Sequence, residues 1–378
     1  MTRILFIAPG DNSHTWKWVS WFGRKYPGEI SLLPYQAPAP PEMLPGVKIL
    51  DPYIPPFKIA SIKSWTEIGR VKRAVHNVKP QLLHVLWAYG SGTYGARADY
   101  HPSIISPWGS EITIFPNRSG VKGAIQRMLI VEALEKADYQ TATSKFLAEA
   151  IKKLTPGRPL PDLFTYGVDT SVFDPDAIDV PMRFPWPDGA PLGDRSITVG
   201  FFKALKPKYG PEYLVTAIAV ASKILPGLRC VMAGAGEMKK QLQEQARGLE
   251  IENRIIFPGR IPYEEMPRAL ASIDIFAMPS RYEELGVAAL EASAMKKPVI
   301  VTSKWGMKEV IEPDVTGLFI APGDSEALAA HIGKLAEDPT LRRKMGEAGR
   351  EFVRNNYEFD KIMEAADRYC TGIIEKHT

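Results

Sequence analysis

Short apolar runs alternate with amphipathic helical patterns along nearly the whole chain, and the alternation breaks once. In the first half, "RILFIAP", "EISLLP", "LLHVLW", "SIISPWG" and "YQTATS" read as strands, each a short apolar or β-branched stretch bounded by turn residues. Helical spacing recurs between them, at 15–25, 61–77, 121–137 and 145–154. Around 170–195 the chain turns rich in Pro, Asp and Gly and loses all periodicity, which marks a linker. Alternation then resumes with "SITVGFF", helix 211–224, "LRCVMAG", helix 237–248, "RIIFPG", helix 263–271 and "IDIFAMP". Strands that alternate with helices form βαβ units, and these build parallel sheets. An α/β fold of two doubly wound, Rossmann-like parallel-sheet domains facing across a cleft is the expectation, and 378 residues suit two domains.

Several classes are excluded early. Cys230 and Cys370 lie far apart, with neither metal-ligand spacing nor a disulfide framework, which suits a reducing compartment. The opening "MTRILFIAPG" reads as a first strand, not a signal peptide, and no window approaches eighteen uninterrupted apolar residues. Residues 1–130 hold 15 Lys and Arg against 7 Asp and Glu. Within that stretch Lys58, Lys63, Arg70, Lys72 and Arg73 interleave with Phe57, Ile59, Ile62, Trp65, Ile68 and Val71. Two readings stand: a helix resting on anionic membrane, or an ordinary surface helix with its lysines in water. No nucleic-acid motif accompanies the basic residues, so no nucleic-acid partner is expected.

Chemistry concentrates in "MPSRYEELGVAALEASAMKKPVIVTS", residues 278–303. A buried strand ends in a Pro-Ser turn, a helix follows with Leu285, Ala288, Ala289, Ala292 and Met295 at helical spacing, and a second buried strand closes the unit. Glu283 and Glu291 therefore flank the junction between a strand's C-terminal edge and a helix N-terminus, where parallel sheets bind ligands. Upstream, "SITVGFFKAL" runs into "KPKYG", placing Lys203 and Lys208 beside a helix that starts near Pro211. Ammonium groups and unpaired helix amides both favour a diphosphate, although solvated loop lysines would look the same in sequence. Gly234 and Gly236, ending "MAGAG", permit close backbone approach or simply a tight βα turn.

Taken in order, "YGVDTSVFDP" (166–175), "VMAGAGEMKKQLQEQARGLEIENRIIFPGRIPYEEMPRALASIDIFAMPS" (231–280), the Glu283/Glu291 segment, "EVIEPDVTGLFIAPGD" (309–324) and "DPTLRRKMGEAGREFVRNNYEF" (338–359) resemble the family 4 retaining glycosyltransferases of GT-B architecture. The resemblance spans most of the chain. It implies an N-terminal acceptor-binding domain at 1–175, a linker at 176–195, a nucleotide-sugar-binding domain at 196–357, and a C-terminal helix at 358–378 that returns to the first domain. It assigns Glu291 to the ribose hydroxyls and Glu283 to the transferred sugar, since a carboxylate accepts from vicinal hydroxyls. The amides of Leu285, Gly286 and Val287 would cradle the diphosphate, Arg260 and Ile261 would meet the base, and Gly10 and Gly234 would also line the donor. Lys203 and Lys208 would take the charge that develops as the sugar–phosphate bond breaks, so Lys203, Lys208 and Glu283 are the expected catalytic residues.

The resemblance further implies front-face transfer, in which the departing phosphate oxygen takes the acceptor proton, in place of a carboxylate nucleophile. No Asp-x-Asp cluster stands in the relevant segments, so neither a metal nor another cofactor is expected. The partners implied are a nucleotide-diphosphate sugar and a glycan, glycolipid or related acceptor, in the cytoplasm or at the inner face of the membrane.

The N-terminal half departs from the family pattern in two places. The glycine-rich loop after the first strand is reduced to Gly10, with Ser13 or Thr15 as candidate helix caps. Where the family often places a histidine against the donor sugar this chain has Trp108, which can stack on a sugar but cannot act as a base. His14, Trp108 and Glu111 are candidate sugar or acceptor contacts. For His14 a plain helix-start position is equally compatible, and for Glu111 a surface carboxylate. His84, inside "LLHVLW", reads as a core histidine, and His331 and His377 lack ligand spacing. Two other readings remain open: a nucleotide-sugar epimerase of the same fold, and a non-catalytic sugar-nucleotide-binding module.

Overall fold

Among the residues that the computed structural model describes (2–58, 61–186 and 196–378), thirteen strands form two parallel sheets. The first sheet comprises β1 (Ile4–Pro9), β2 (Ile30–Tyr35), β3 (Val47–Ile49), β4 (Leu82–Leu86), β5 (Ser103–Ser106), β6 (Tyr139–Ala142) and β7 (Asp162–Leu163). Its spatial order is β3-β2-β1-β4-β5-β6-β7. The second comprises β8 (Ile197–Phe202), β9 (Leu228–Ala233), β10 (Ile255–Gly259), β11 (Ile275–Met278), β12 (Val299–Thr302) and β13 (Gly317–Ile320), in the order β10-β9-β8-β11-β12-β13. Each order runs outward from a first strand and then doubles back. The switch points lie between β1 and β4 in one sheet, and between β8 and β11 in the other. In doubly wound sheets the crevice at the C-terminal ends of those two strands is where ligands bind.

The central strands are buried and mostly apolar because helices cover both their faces. Every residue of β1 and of β8 is buried. One core gathers Leu5, Ile7, Leu33 and Val85 with Val71, Leu129 and Ile151 from helices. The other gathers Val199, Phe201, Met232 and Ile275 with Leu214, Ile218 and Leu242. Cys230 and Cys370 are both free and buried.

Two compact units result, one made of the chain up to Tyr166 with Asp360–Thr378, the other of Gly167–Phe359. Residues 167–175, expected with the first domain, belong to the second. Val168 pairs with the 357–359 backbone, and Arg350 donates to the Phe173 carbonyl at 2.8 Å and to Asp174 at 3.0 Å. Of the expected linker at 176–195, residues 187–195 lie outside the described residues. The part before them runs over the second unit, with the Arg268 side chain donating to the Val180 carbonyl at 3.1 Å.

Helices differ from expectation where capping or glycine decides. The first spans Ser13–Lys25, because the Asn12 side chain accepts from the His14 amide at 2.8 Å and takes the capping role expected of Ser13 or Thr15. Thr15 is instead fully buried. Helix Ser91–Ala98 escaped the periodicity because it carries two glycines. Gly95 lets it lie against β4, since a Cβ there would meet Val85 at 2.5 Å. The basic helix at 61–77 spans Ile62–Val78, buries Val71 and Val75, and exposes Ile62 by 83% and Trp65 by 46%. Arg70 is not a free surface cation, since it pairs with Glu67 and donates to the carbonyls of Pro52 and Tyr53. Ile59, expected on this apolar face, lies outside the described residues.

Candidate functional site

The second unit brings four of its expected site residues, Lys203, Lys208, Glu283 and Glu291, to the switch point. Strand β8 delivers Lys203 at its C-terminal end, and the 3-10 turn Pro207–Tyr209 delivers Lys208. Neighbouring β11 leads through Pro279 and Ser280 to Glu283, ahead of helix Val287–Ala294, which carries Glu291. The two loops are tied together by the Lys208 carbonyl, which accepts from the Arg281 and Tyr282 amides at 2.9 and 3.2 Å. Gly210 holds a left-handed conformation, with a φ of 58°, where a Cβ would meet the Pro279 carbonyl at 2.4 Å.

Lysines and glutamates meet in pairs. Lys203 Nζ lies 3.3 Å from Glu283 Oε2, and Lys208 Nζ lies 2.8 Å from Glu284 Oε2. The Tyr209 ring faces both ammonium groups, at 5.0 and 5.6 Å. Burial alone would lower both lysine pKa values. The nearby carboxylates outweigh it, Glu283 acting on Lys203, and Glu283 with Glu284 on Lys208, so both are held above the usual lysine value. Burial raises the Glu283 carboxyl above its ordinary range, against the opposing pull of Lys203 and Lys208. Glu291 also acts on Lys203 through charge. It accepts a hydrogen bond from Tyr263, whose phenol is pushed up first by burial and then by this carboxylate.

Gly234 and Gly236 serve these lysines indirectly. A Cβ on Gly234 would meet the Lys203 carbonyl oxygen at 2.0 Å, and one on Gly236 the Leu205 carbonyl oxygen at 2.1 Å. The loop after β9 thus packs directly on the backbone that carries Lys203. Gly286 is confined by Met307 and Met278, at 2.7 and 2.9 Å from a Cβ position. Leu285 and Gly286 are buried at the start of the helix, and the Val287 amide donates to the Leu285 carbonyl at 3.0 Å. Arg260 is exposed and Ile261 half-buried after β10. Tyr263, a few residues on, is the one that reaches Glu291.

The remaining candidates belong to the first unit. The Gly10 amide donates to the Tyr35 carbonyl at 3.0 Å, and a Cβ there would meet the Ala37 carbonyl oxygen at 2.0 Å. His14 stacks on Tyr166 at 4.1 Å and meets Trp108 edge-on at 6.0 Å. Trp108 is buried, and its carbonyl accepts from the Tyr166 hydroxyl at 3.0 Å. Glu111 is not a surface carboxylate: it is fully buried and accepts from the Trp108 amide at 2.6 Å, which fixes the loop that presents the indole.

Sequence reasoning did not single out Glu284, Tyr209, Tyr263 or Tyr166. The Glu-Glu doublet was a signal for Glu284. The pairing of Lys208 with it, across 76 positions, was not readable locally. Among the described residues, no group of three or more His, Cys, Asp or Glu side chains is disposed to hold a metal ion, and no helix is long and apolar enough to cross a membrane.

Comparison with known proteins agrees with this architecture. Residues 185–352 match the family described as glycosyl transferases group 1, and residues 3–144 match glycosyl transferase 4-like. The chain is similar to the GDP-mannose-dependent alpha-(1-6)-phosphatidylinositol monomannoside mannosyltransferase of Mycolicibacterium smegmatis, 33% identical over 200 residues, covering 51% of each chain. The Mycobacterium tuberculosis protein of the same name is 32% identical over 214 residues, covering 54% of each. The chain thus spans about half the length of the curated relatives it matches. In fold it is similar to Anabaena HepE solved with UDP-glucose, with a TM-score of 0.78 and 20% identity, covering 98% of this chain and 100% of that one. With both halves matched and the whole fold shared, the chain belongs to the group 1 glycosyl transferases, a family 4-like protein of GT-B fold.

Proposed function

We propose that this protein transfers a sugar from a nucleotide-diphosphate sugar to a hydroxyl of a glycan, glycolipid or related acceptor, with retention of anomeric configuration. One observation carries the reading: Lys203, Lys208, Glu283 and Glu291 converge at the switch point of the second sheet, beside a helix N-terminus. In this reading Glu291 accepts from the ribose hydroxyls and Glu283 from the transferred sugar. The two ammonium groups and the amides at Leu285 and Gly286 receive the diphosphate. Arg260 and Ile261 border the base, while Gly234 and Gly10 act by letting their loops pack closely.

In the transfer step the bond from the anomeric carbon to the diphosphate oxygen breaks and the acceptor oxygen bonds to that carbon on the same face. The acceptor proton passes to the departing phosphate oxygen. Lys203 and Lys208 stabilise the leaving diphosphate without a metal ion, and placement of the two substrates supplies the rest. His14, Trp108 and Glu111 shape the acceptor side of the first unit, Trp108 through its indole and Glu111 by holding that loop.

The relatives' names lend support, since they specify a nucleotide-sugar donor and a phosphatidylinositol-based acceptor. A cytoplasmic enzyme in peripheral contact with anionic membrane fits the exposed Ile62 and Trp65 beside exposed Lys58, Lys63, Lys72 and Arg73.

The test is a thermal-shift panel of nucleoside diphosphates and nucleotide sugars, followed by label transfer to candidate acceptors. A donor nucleotide present at a hundred times its Kd adds about 2.7 kcal/mol of stability. At least one nucleoside diphosphate should raise Tm, and Glu291→Ala and Lys208→Ala should each weaken that rise. No response to any nucleotide at millimolar concentration sinks the donor assignment. An inverted product anomer sinks retention.

A further inference from the structure

The first unit contains a cavity of about 930 Å³ at its own switch point, lined by the segments that follow β1, β2 and β4. Its volume lies within the range of pockets that enclose a small-molecule ligand. Pro9, Asp11 and Asn12 come from the first segment, Tyr35 and Gln36 from the second, and Trp87 and Tyr89 from the third. The rest of the lining is mainly apolar: Phe57, Phe115, and Val121, Ile125 and Leu129 along helix Gly120–Lys136, with Gln126 among them. Among the described lining residues, two exposed ammonium groups, Lys58 and Lys122, stand with one carboxylate, Asp11.

Backbone strain marks the same place. Gln36 and Trp87 both hold positive φ, 72° and 83°, though neither is glycine. That conformation is an outlier for a bulky aromatic residue and costs on the order of 1–3 kcal/mol. It persists because neighbours fix it. The Trp87 amide donates to the Ser106 carbonyl at 3.0 Å, its carbonyl accepts from Ser91 Oγ at 3.0 Å, and the Gln36 amide donates to the Ile54 carbonyl at 2.7 Å. Both strained residues line the cavity, at the sheet edge where ligands bind.

We infer that this cavity receives the apolar chain of an amphiphilic acceptor that carries a phosphate-type anion, with Lys58 and Lys122 pairing the anion and Asp11 and Asn12 beside the acceptor's hydroxyls. This deepens the proposed function by naming the acceptor class, and it rests on that reading for the word acceptor. The aliphatic side chains of Val121, Ile125 and Leu129 favour an alkyl chain over a purely polar glycan, whose hydroxyls would go unpaired against them. The excess of ammonium over carboxylate favours an anionic head over a neutral one.

The test is calorimetric titration of the full chain with decyl phosphate below its micelle concentration, alongside inorganic phosphate, 1,2-decanediol and a nucleoside diphosphate. Decyl phosphate should bind at least tenfold more tightly than either the diol or inorganic phosphate. Ile125→Trp, which fills the half-buried wall, should abolish decyl phosphate binding and leave nucleoside diphosphate binding unchanged. The double variant Lys58→Glu, Lys122→Glu, at two exposed positions, should weaken decyl phosphate at least tenfold and leave the diol unaffected. Wild-type protein that binds the nucleoside diphosphate but not decyl phosphate overturns this inference alone. So does undiminished decyl phosphate binding by Ile125→Trp. Loss of the nucleotide response with decyl phosphate binding intact overturns the donor assignment and supports the pocket. Phosphatidic acid vesicles that displace decyl phosphate from wild type assign a bilayer source for the chain, and vesicles that do not assign a soluble amphiphile.

Discussion

His84 shows how a single residue can be legible in sequence and still carry a measurable consequence. It stands in the middle of an apolar run, which reads as a core histidine, and it is 2% exposed on β4. Its Nε2 lies 2.7 Å from Ser106 Oγ, and the rings of Phe6 and Trp18 pack around it with no charged group among them. Burial lowers its pKa to about 3, so the folded protein keeps the imidazole neutral while the unfolded chain takes a proton near pH 6.5. The contribution of this residue to stability is therefore complete above pH 6.5 and declines as pH falls from there toward 3. Between pH 7 and pH 4.5 it should withdraw about 2–3 kcal/mol. His84→Gln should flatten the fall in urea-unfolding free energy over that window relative to wild type. Parallel pH dependence in the two proteins would refute the assignment. Glu111 is the contrasting residue: its type and loop were readable, but its complete burial was not, because burial depends on what packs above a loop.

At the scale of elements, strands were legible because both faces of a central parallel strand are buried, so that the apolar run is its own signal. Boundaries and glycine-bearing helices were less so. Asn12 moved one helix start, and helix Ser91–Ala98 lost its periodicity to two glycines, of which Gly95 serves close packing on β4. The same packing logic changes what Gly234 does. Sequence offered a choice between donor contact and a plain βα turn, and the geometry points to a third role, support of the loop that presents Lys203. Gly234→Ala would drive a methyl group into the Lys203 carbonyl oxygen, so one loop must shift. We expect a loss of about 1–3 kcal/mol in stability, the usual cost of overpacking. Stabilisation by nucleoside diphosphate should fall several-fold as Lys203 moves off Glu283. A variant with unchanged nucleotide response would show that the loop yields without moving the ammonium group.

On the scale of the whole chain, the first unit is assembled from two stretches far apart in sequence. The chain leaves it at Tyr166 and re-enters at Asp360, and nothing local announces that return. The final helix, Phe359–His377, reads in sequence only as amphipathic, and its destination came from family resemblance, since packing partners more than 200 positions away leave no periodic signal. In the structure Asp367 accepts from the Tyr26 hydroxyl at 3.0 Å and pairs with Lys25 at 2.9 Å, while the Tyr369 hydroxyl donates to Asp162 at 2.8 Å. Met363, Ala366, Cys370 and Ile373 are all at most 3% exposed. Losing the burial of the three larger apolar side chains alone removes about 5 kcal/mol, comparable to the whole stability of many domains. Truncation after Phe359 should therefore unfold the first unit selectively. Hydrogen exchange read by mass spectrometry should show β1 and β4 losing protection while β8 and β11 keep theirs, and the truncated chain should still respond to a nucleoside diphosphate. Uniform loss of protection across both sheets would mean that the two cores fold as one cooperative body, and unchanged protection in β1 would mean that the helix is dispensable to the sheet.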